Sequence, residues 1–466
     1  MDTPPNNNKT LGQEWRALLT IAWPMMIAQL AQMGTGVVDT VMAARYNAID
    51  LAAIAIGYNI WLPIYLVFVG VMLGATAIIA QDFGAGRIRE IRDSLPQAIW
   101  LALLLGLVAA PLCYFTDPLL SLLALEPLTH AKAHAYLQAV AFGMPAAALF
   151  QALRCHTQGI GIMRPFAVAS VIGFIANIPL NYAFIYGKWG APELGAAGCG
   201  WATAISMWLS PVLMGIYMSR AKNLQQYLPP LQFAAPRWAI QRDICRLGLP
   251  MGLTFFLEVA VFSIIGLAIA TLGNTAIASH QIAYNVWDVI YILFISIGSA
   301  MGTRVGQGIG AGSKRQVEQA VFCGGATNFV IAVAAMIVLF TVPEWVVGFY
   351  TRDEEILSLV LGLIGMAAVF IFMDAAEVTI TFSLRAFKDT VYPFYVLCGV
   401  YWLITLPLGL WLGLVVYDDP ASGTVGFWKA MILGIVIIVL ILALRLRNRL
   451  RQPVESWDTP EAQVDA

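Results

Sequence analysis

Charge is what this chain has least of. Only 11% of its 466 residues are Asp, Glu, Lys or Arg, while 60% are hydrophobic; an ordinary soluble protein is roughly 25% charged. That deficit excludes a water-soluble fold of this length, because too little polar surface exists to cover it. The six cysteines (Cys113, Cys155, Cys199, Cys245, Cys323 and Cys398) are scattered and include no CxxC pair, so packed helix residues are expected rather than a disulfide framework or a metal site. No GxxxxGK[ST] segment is present, which removes ATP as a direct energy source. The alternating glycines of Gly306 to Gly312 follow no strand and read as a helix end. His130 and His134 have metal-ligand spacing but stand alone at a helix start. With no nucleophile and base pair and no metal motif, an intramembrane enzyme is not expected, nor is any cofactor. The net charge of −1 gives no reason to expect a nucleic-acid partner.

Long apolar runs, by contrast, recur along the whole chain. A membrane-spanning helix needs about 20 mostly apolar residues, and twelve such segments can be drawn: 15–43, 51–80, 95–116, 133–157, 165–187, 197–219, 243–271, 277–304, 318–342, 355–384, 391–416 and 424–445. The expected class is therefore an all-α integral membrane protein in a lipid bilayer. The first residues, MDTPPNNNKT, lack the regions of a cleavable signal, so the first span is expected to be retained. When the polar breaks are assigned alternately to two sides, 21 of the 26 basic residues fall on one side. Only Arg45, Lys132, Lys188, Arg352 and Lys429 fall on the other. That asymmetry predicts both termini in the cytoplasm of an inner-membrane protein.

An internal repeat organises the spans. An offset of 226 lays Pro24 and Met25 on Pro250 and Met251, Tyr58–Trp61 on Tyr284–Trp287, and Gln81 and Gly84–Gly86 on Gln307 and Gly310–Gly312. An offset of 228 lays Pro165 on Pro393, Pro179 on Pro407, and Gly195 on Gly423. The predicted plan is a tail at 1–14, a six-helix lobe at 15–219, a linker at 220–242 carrying Pro229, Pro230 and Pro236, a second lobe at 243–445, and a solvated, disordered tail at 446–466. Because each lobe begins and ends on the same side, the repeats are parallel, related by a pseudo-twofold axis along the membrane normal. Transporters built this way hold substrate between the halves and alternate access by rocking them.

Charges inside the spans are costly and therefore functional candidates. The deep carboxylates are Asp39, Glu258, Asp288, Asp374 and Glu377, and no Lys or Arg is expected equally deep. Such a site suits cations: protons, sodium or positively charged organic molecules. Glu258 and Asp374 both fall near mid-span, and two carboxylates in one dry pocket can share a proton or, with added oxygens, hold a cation. Asp39 can be joined by Asn177 and Asn181, which share a face at i and i+4, and by Thr203. Across the repeat Glu258 aligns with Gln32, Asp39 with Ile265 and Asp374 with Ala146, so the halves carry different polar equipment. Asp288 is a second candidate for the cavity, and Glu377 is expected nearer the basic end. Tyr58, Trp61, Phe255, Phe256, Tyr284 and Trp287 offer aromatic faces for flat cations.

AWPMM at Ala22–Met26, its echo GLPMG at Gly248–Gly252, the QDFGAG and GQGIGAG segments, and LRAFKDT at Leu384–Thr390 resemble the multidrug and toxic compound extrusion family from about Trp15 to Leu444. Glu258 with Asp374 resembles its NorM-type branch. The resemblance implies a monomeric secondary antiporter that exports amphipathic, mostly cationic compounds in exchange for protons or sodium. Coupling-ion roles would fall to Glu258, Asp374 and Asp39, and cavity roles to Asp39 again with Gln32, Asn177, Asn181, Thr203, Tyr284, Asp288 and Phe370. The two-carboxylate pocket favours the second lobe for the ion and Asp39 for substrate binding. Some sodium-coupled relatives carry tyrosine where this chain has Phe370, which tilts the expectation toward a proton, with sodium at Glu258 and Asp374 still open. The alternative is a lipid-linked oligosaccharide flippase of the same wider superfamily. It would need deep basic groups for a pyrophosphate, where this chain offers acids.

Overall fold

The structure, a computed structural model, describes residues 10–457 except 124, 230–233 and 418. The expected tails at 1–9 and 458–466, and Pro230 of the linker, lie outside the described residues.

The described chain is helical throughout its spans: α1 (Leu11–Tyr46), α2 (Ala48–Gly84), α3 (Ile88–Tyr114), α4 (Pro127–Ala141), α5 (Met144–Gly159), α6 (Arg164–Tyr186), α7 (Ala196–Arg220), α8 (Trp238–Ala270), α9 (Asn274–Gly310), α10 (Lys314–Thr341), α11 (Glu354–Ala386), α12 (Val391–Val416) and α13 (Pro420–Arg451). Among the described residues eleven helices are long and apolar enough to cross a membrane, and α4 with α5, bent by 44°, completes a twelfth span. The bend falls at Phe142 and Gly143, where Pro145 cannot donate a helical hydrogen bond and a side chain at Gly143 would strike Met207 and Ala204. Span α12 contains two π-helical stretches, Tyr401–Thr405 and Leu412–Val416.

Local chemistry sets the helix ends. Thr10 and Gln13 form a reciprocal capping box, the Thr10 N–H donating to Gln13 Oε1 (3.0 Å) and the Gln13 N–H to Thr10 Oγ1 (3.4 Å). Helix α1 therefore starts at Leu11, inside the stretch expected as a tail up to residue 14. Asn47, Asp353 and Asp419 cap α2, α11 and α13. The repeated glycines end α2 and α9 alike: Gly86 (φ +71°) and Gly312 (φ +63°) take the left-handed conformation that glycine adopts without strain.

Two compact units result. One is Trp23–Gly252; the other joins the chain up to Ala22 with Leu253 onward. This division differs from lobes at 15–219 and 243–445, because the first turns of α1 and α8 each pack away from the repeat they open. Glu14 is fully buried and receives Arg304 Nε and Nη2, both at 2.7 Å, while Trp15 Nε1 donates to Thr327 Oγ1 at 2.9 Å. In the other unit Gly248 and Gly252 lie so close to the backbone of Val71 and Val67 that a Cβ would collide with their carbonyl oxygens. Gln97 secures the start of α8, donating to Ala235 O (3.0 Å) and accepting from Arg237 N (2.6 Å). Pro24 and Pro250 sit beside the two crossing points.

The expected solvated tail at 446–466 is instead packed as far as it is described. Arg445 and Arg449 donate Nε to Asp389 Oδ2 at 2.8 and 2.9 Å. Trp457, 5% exposed, meets Phe387 edge-on and donates to Arg449 O at 3.1 Å. Exposed apolar side chains such as Leu104, Leu107, Leu403 and Val415 give the outer surfaces the character lipid requires.

Candidate functional site

In the unit Trp23–Gly252, α1, α6 and α7 converge on Asp39. The residue is 7% exposed and lies against Asn177, Asn181 and Thr203, which are 0%, 0% and 6% exposed. Asn181 Nδ2 donates to Asp39 Oδ1 and, at 2.8 Å, to Asn177 Oδ1; Thr203 Oγ1 donates to Asp39 Oδ2 at 3.2 Å. The i, i+4 spacing on α6 stacks the two amides on one face, so that Asn181 bridges Asn177 and the carboxylate. Asn177 Nδ2 and Asn181 Oδ1 stay buried with no partner among the described residues, so the cluster keeps one donor and one acceptor unused. Gln32 lies two turns before Asp39 on α1 and is half-buried. Nearby, Trp61 Nε1 donates to Tyr136 Oη at 3.2 Å.

The second unit is built differently. Asp374 (5% exposed) and Glu377 (9%) stand one turn apart on α11; Glu258 on α8 is half-buried. Glu377 acts electrostatically on both Glu258 and Asp374, so the three form one charge-coupled group. Trp287 on α9 donates Nε1 to Asp374 Oδ2 at 3.1 Å, and Thr381 donates to Glu377 Oε1. Aromatic rings wall the group: Trp287 stacks on Tyr291 (4.9 Å) and packs against Tyr284 (4.9 Å) and Phe370 (5.9 Å), and Tyr401 in the first π-helical stretch packs on Phe262. Phe370, 1% exposed, brings a ring and no oxygen. Among the described residues no three His, Cys, Asp or Glu side chains gather tightly enough to hold a metal ion.

The structure thus draws together the residues grouped around Asp39 and around Asp374, and leaves Asp288 half-buried beside Tyr284, outside the acidic trio. Two features differ from the expectation. Glu377 belongs with Glu258 and Asp374, and its i+3 spacing from Asp374 was the available signal. Basic groups are also buried deeper than expected or close to the acids: Arg154, expected at the basic end of the span 133–157, is buried in α5 over the Phe166 ring (4.8 Å), and Arg385 lies within electrostatic reach of Glu258 and Glu377. Only tertiary packing reveals the second.

Repeated helical spans in a lipid-facing shell, with carboxylates retained in their interiors, define a multi-pass membrane transporter. The chain belongs to the MatE family, whose model matches residues 24–183 and 250–411. It is 37% identical over 441 residues to the multidrug resistance protein MdtK of Yersinia pseudotuberculosis serotype O:1b, covering 94% of this chain and 96% of that one, and 36% identical to MdtK of Yersinia enterocolitica over equal shares. Its fold is similar to the eukaryotic MATE transporter AtDTX14 (TM-score 0.83, 19% identity, 94% and 99% of the two chains). It is similar also to an outward-facing multidrug resistance MATE transporter of the MOP superfamily (TM-score 0.84, 18% identity, 94% and 96%).

Proposed function

We propose that this chain is a secondary multidrug exporter of the inner membrane, in which entry of a coupling cation drives efflux of amphipathic, mostly cationic compounds by alternating access. The observation that carries the reading is the trio of Glu258, Asp374 and Glu377 inside one unit. Two buried acids and a half-buried third inside the spans are expensive, and a cation that comes and goes offsets that expense in a way neutral packing could not. The names of the MdtK relatives, which are multidrug resistance proteins, support the drug half of the reading. An inward-moving monovalent ion gains about 2.3 kcal/mol per 100 mV of membrane potential, and a drug leaving with one positive charge loses the same amount. One-for-one exchange therefore runs on the ion's concentration gradient, while a neutral drug or a second ion also draws on the potential. Aromatic walls at Trp287, Tyr284 and Tyr291 suit flat cations. The chain works as a monomer with no bound cofactor, exchanging protons or sodium, both termini in the cytoplasm.

The test is transport of a fluorescent cationic dye into inside-out vesicles, the export direction, under an imposed proton or sodium gradient. Uptake into the vesicles driven by either gradient, without ATP, supports the reading. Dye movement indifferent to both gradients overturns it.

A further inference from the structure

Among the described residues the acidic trio has a cationic neighbour in Arg385, in the last turn of α11. Its guanidinium carbon lies 5.0 Å from the centre of the Phe255 ring and 4.8 Å from that of Phe382, so the head is held on two aromatic faces. Its Nη1 is buried and has no hydrogen-bond partner among the described residues. A desolvated donor left unmade is costly, yet carboxylates stand close by. Phe255 precedes Glu258 by three residues on α8, so about one helical turn separates the ring under the guanidinium from that carboxylate. Glu377 lies eight residues earlier on α11, about 12 Å along the axis. Both acids feel the charge of Arg385. The groups around it are Phe255 and Glu258 from α8, Tyr291 from α9, and Glu377 and Phe382 from α11, with Asp374 and Tyr401 beyond them.

We propose that Arg385 is a tethered counter-ion that competes with the coupling cation for Glu258. While the coupling ion neutralises the carboxylate, the guanidinium rests on Phe255 and Phe382. When the ion leaves, the head swings one turn and satisfies both the bare carboxylate and its own Nη1. The competition weakens ion binding and speeds ion release, making Arg385 a positioning residue for the coupling site. The repeat agrees: position 385 aligns with Thr157 at the offset of 228, so the tethered cation occurs in the unit that holds the three acids. In the other unit Arg154 rests on Phe166 and donates Nη1 to a neutral partner, Gln151 Oε1, at 3.3 Å.

This proposal rests on the reading that the trio carries the coupling ion, and the experiment separates the two. Dye export in proteoliposomes is measured against coupling-ion concentration for the wild type, Arg385→Gln, Arg385→Lys and Phe255→Leu. An opposite charge at close range changes ion occupancy by about tenfold or more. Arg385→Gln should therefore lower the half-saturating ion concentration roughly tenfold and slow turnover at saturation, with Arg385→Lys restoring most of both. Phe255→Leu, which removes one resting face and leaves the cation, should shift half-saturation the opposite way and keeps the test decisive if Arg385→Gln fails to fold. Equal half-saturation in all variants, with export merely reduced, would overturn the counter-ion. A wild type whose export ignores both ions would overturn the underlying reading as well.

Discussion

Trp61 and Trp287 occupy the same place in the repeat, yet one donates to the Tyr136 hydroxyl and the other to the Asp374 carboxylate. The difference extends through both units. Where the first has Asp39 held by Asn181 and Thr203, the aligned positions of the second are Ile265, Gly409 and Met431. Where the second has Glu258, Asp374 and Glu377, the first has Gln32, Ala146 and Leu149. Even the helix breaks differ: the first unit bends between α4 and α5 just before Ala146, whereas α11 continues unbroken past Asp374 and the irregular turns fall in α12. Duplication kept the apolar scaffold and its indole donors. What each indole meets was changed separately, and that fixes which unit can hold several charges.

The largest effect is expected at the trio. Asp374→Asn and Glu258→Gln should each leave an inserted protein whose dye export and drug-induced ion movement fall to background, measured at matched expression. Normal export by both would remove the second unit from coupling. A smaller and different change is expected from Asp39→Asn: loss of charge-assisted hydrogen bonds, worth roughly 1.5 to 3 kcal/mol each, should weaken drug half-saturation about tenfold while ion movement persists.

The paired tryptophans give a sharper contrast. Trp287→Phe removes a donor to a carboxylate and should change the coupling-ion half-saturation several-fold. Trp61→Phe removes a neutral hydrogen bond, costs about 1 kcal/mol of stability, and should leave that constant alone; thermal unfolding in detergent alongside ion titration separates the two outcomes. The smallest effect belongs to Phe370→Tyr, which adds an oxygen one turn before Asp374 inside a packed aromatic wall. A few-fold rise in sodium-stimulated export is expected, and no change would show that the hydroxyl does not reach the site.

The helix plan was legible because lipid imposes length and apolarity on each span, and the repeat because Pro24 with Pro250 and Gly86 with Gly312 repeat backbone necessities. The grouping of Asn177 with Asn181 followed from spacing on one helix. Contacts that close over long separations were not legible. Glu14 reads as the edge of a polar tail, and only the fold brings Arg304 to it. Arg445 and Arg449 read as a cytoplasmic fringe, although Asp389 receives them both. The start of α1 was readable in the Thr10 and Gln13 box, but hydropathy, which begins later, masks it. Arg385 reads in the sequence as one more basic residue of the cytoplasmic side, and only the packing of α8 against α11 sets which carboxylates its guanidinium faces.

The central claim, that the second unit carries the coupling ion while Asp39 serves the drug, is tested most directly by recording dye efflux and internal pH together in proteoliposomes, with and without sodium, for Asp39→Asn and Asp374→Asn. The account predicts that Asp39→Asn alters drug affinity or rate and still moves ions when drug is added, whereas Asp374→Asn moves none. Ion movement lost in Asp39→Asn, with coupling intact in Asp374→Asn, would contradict it.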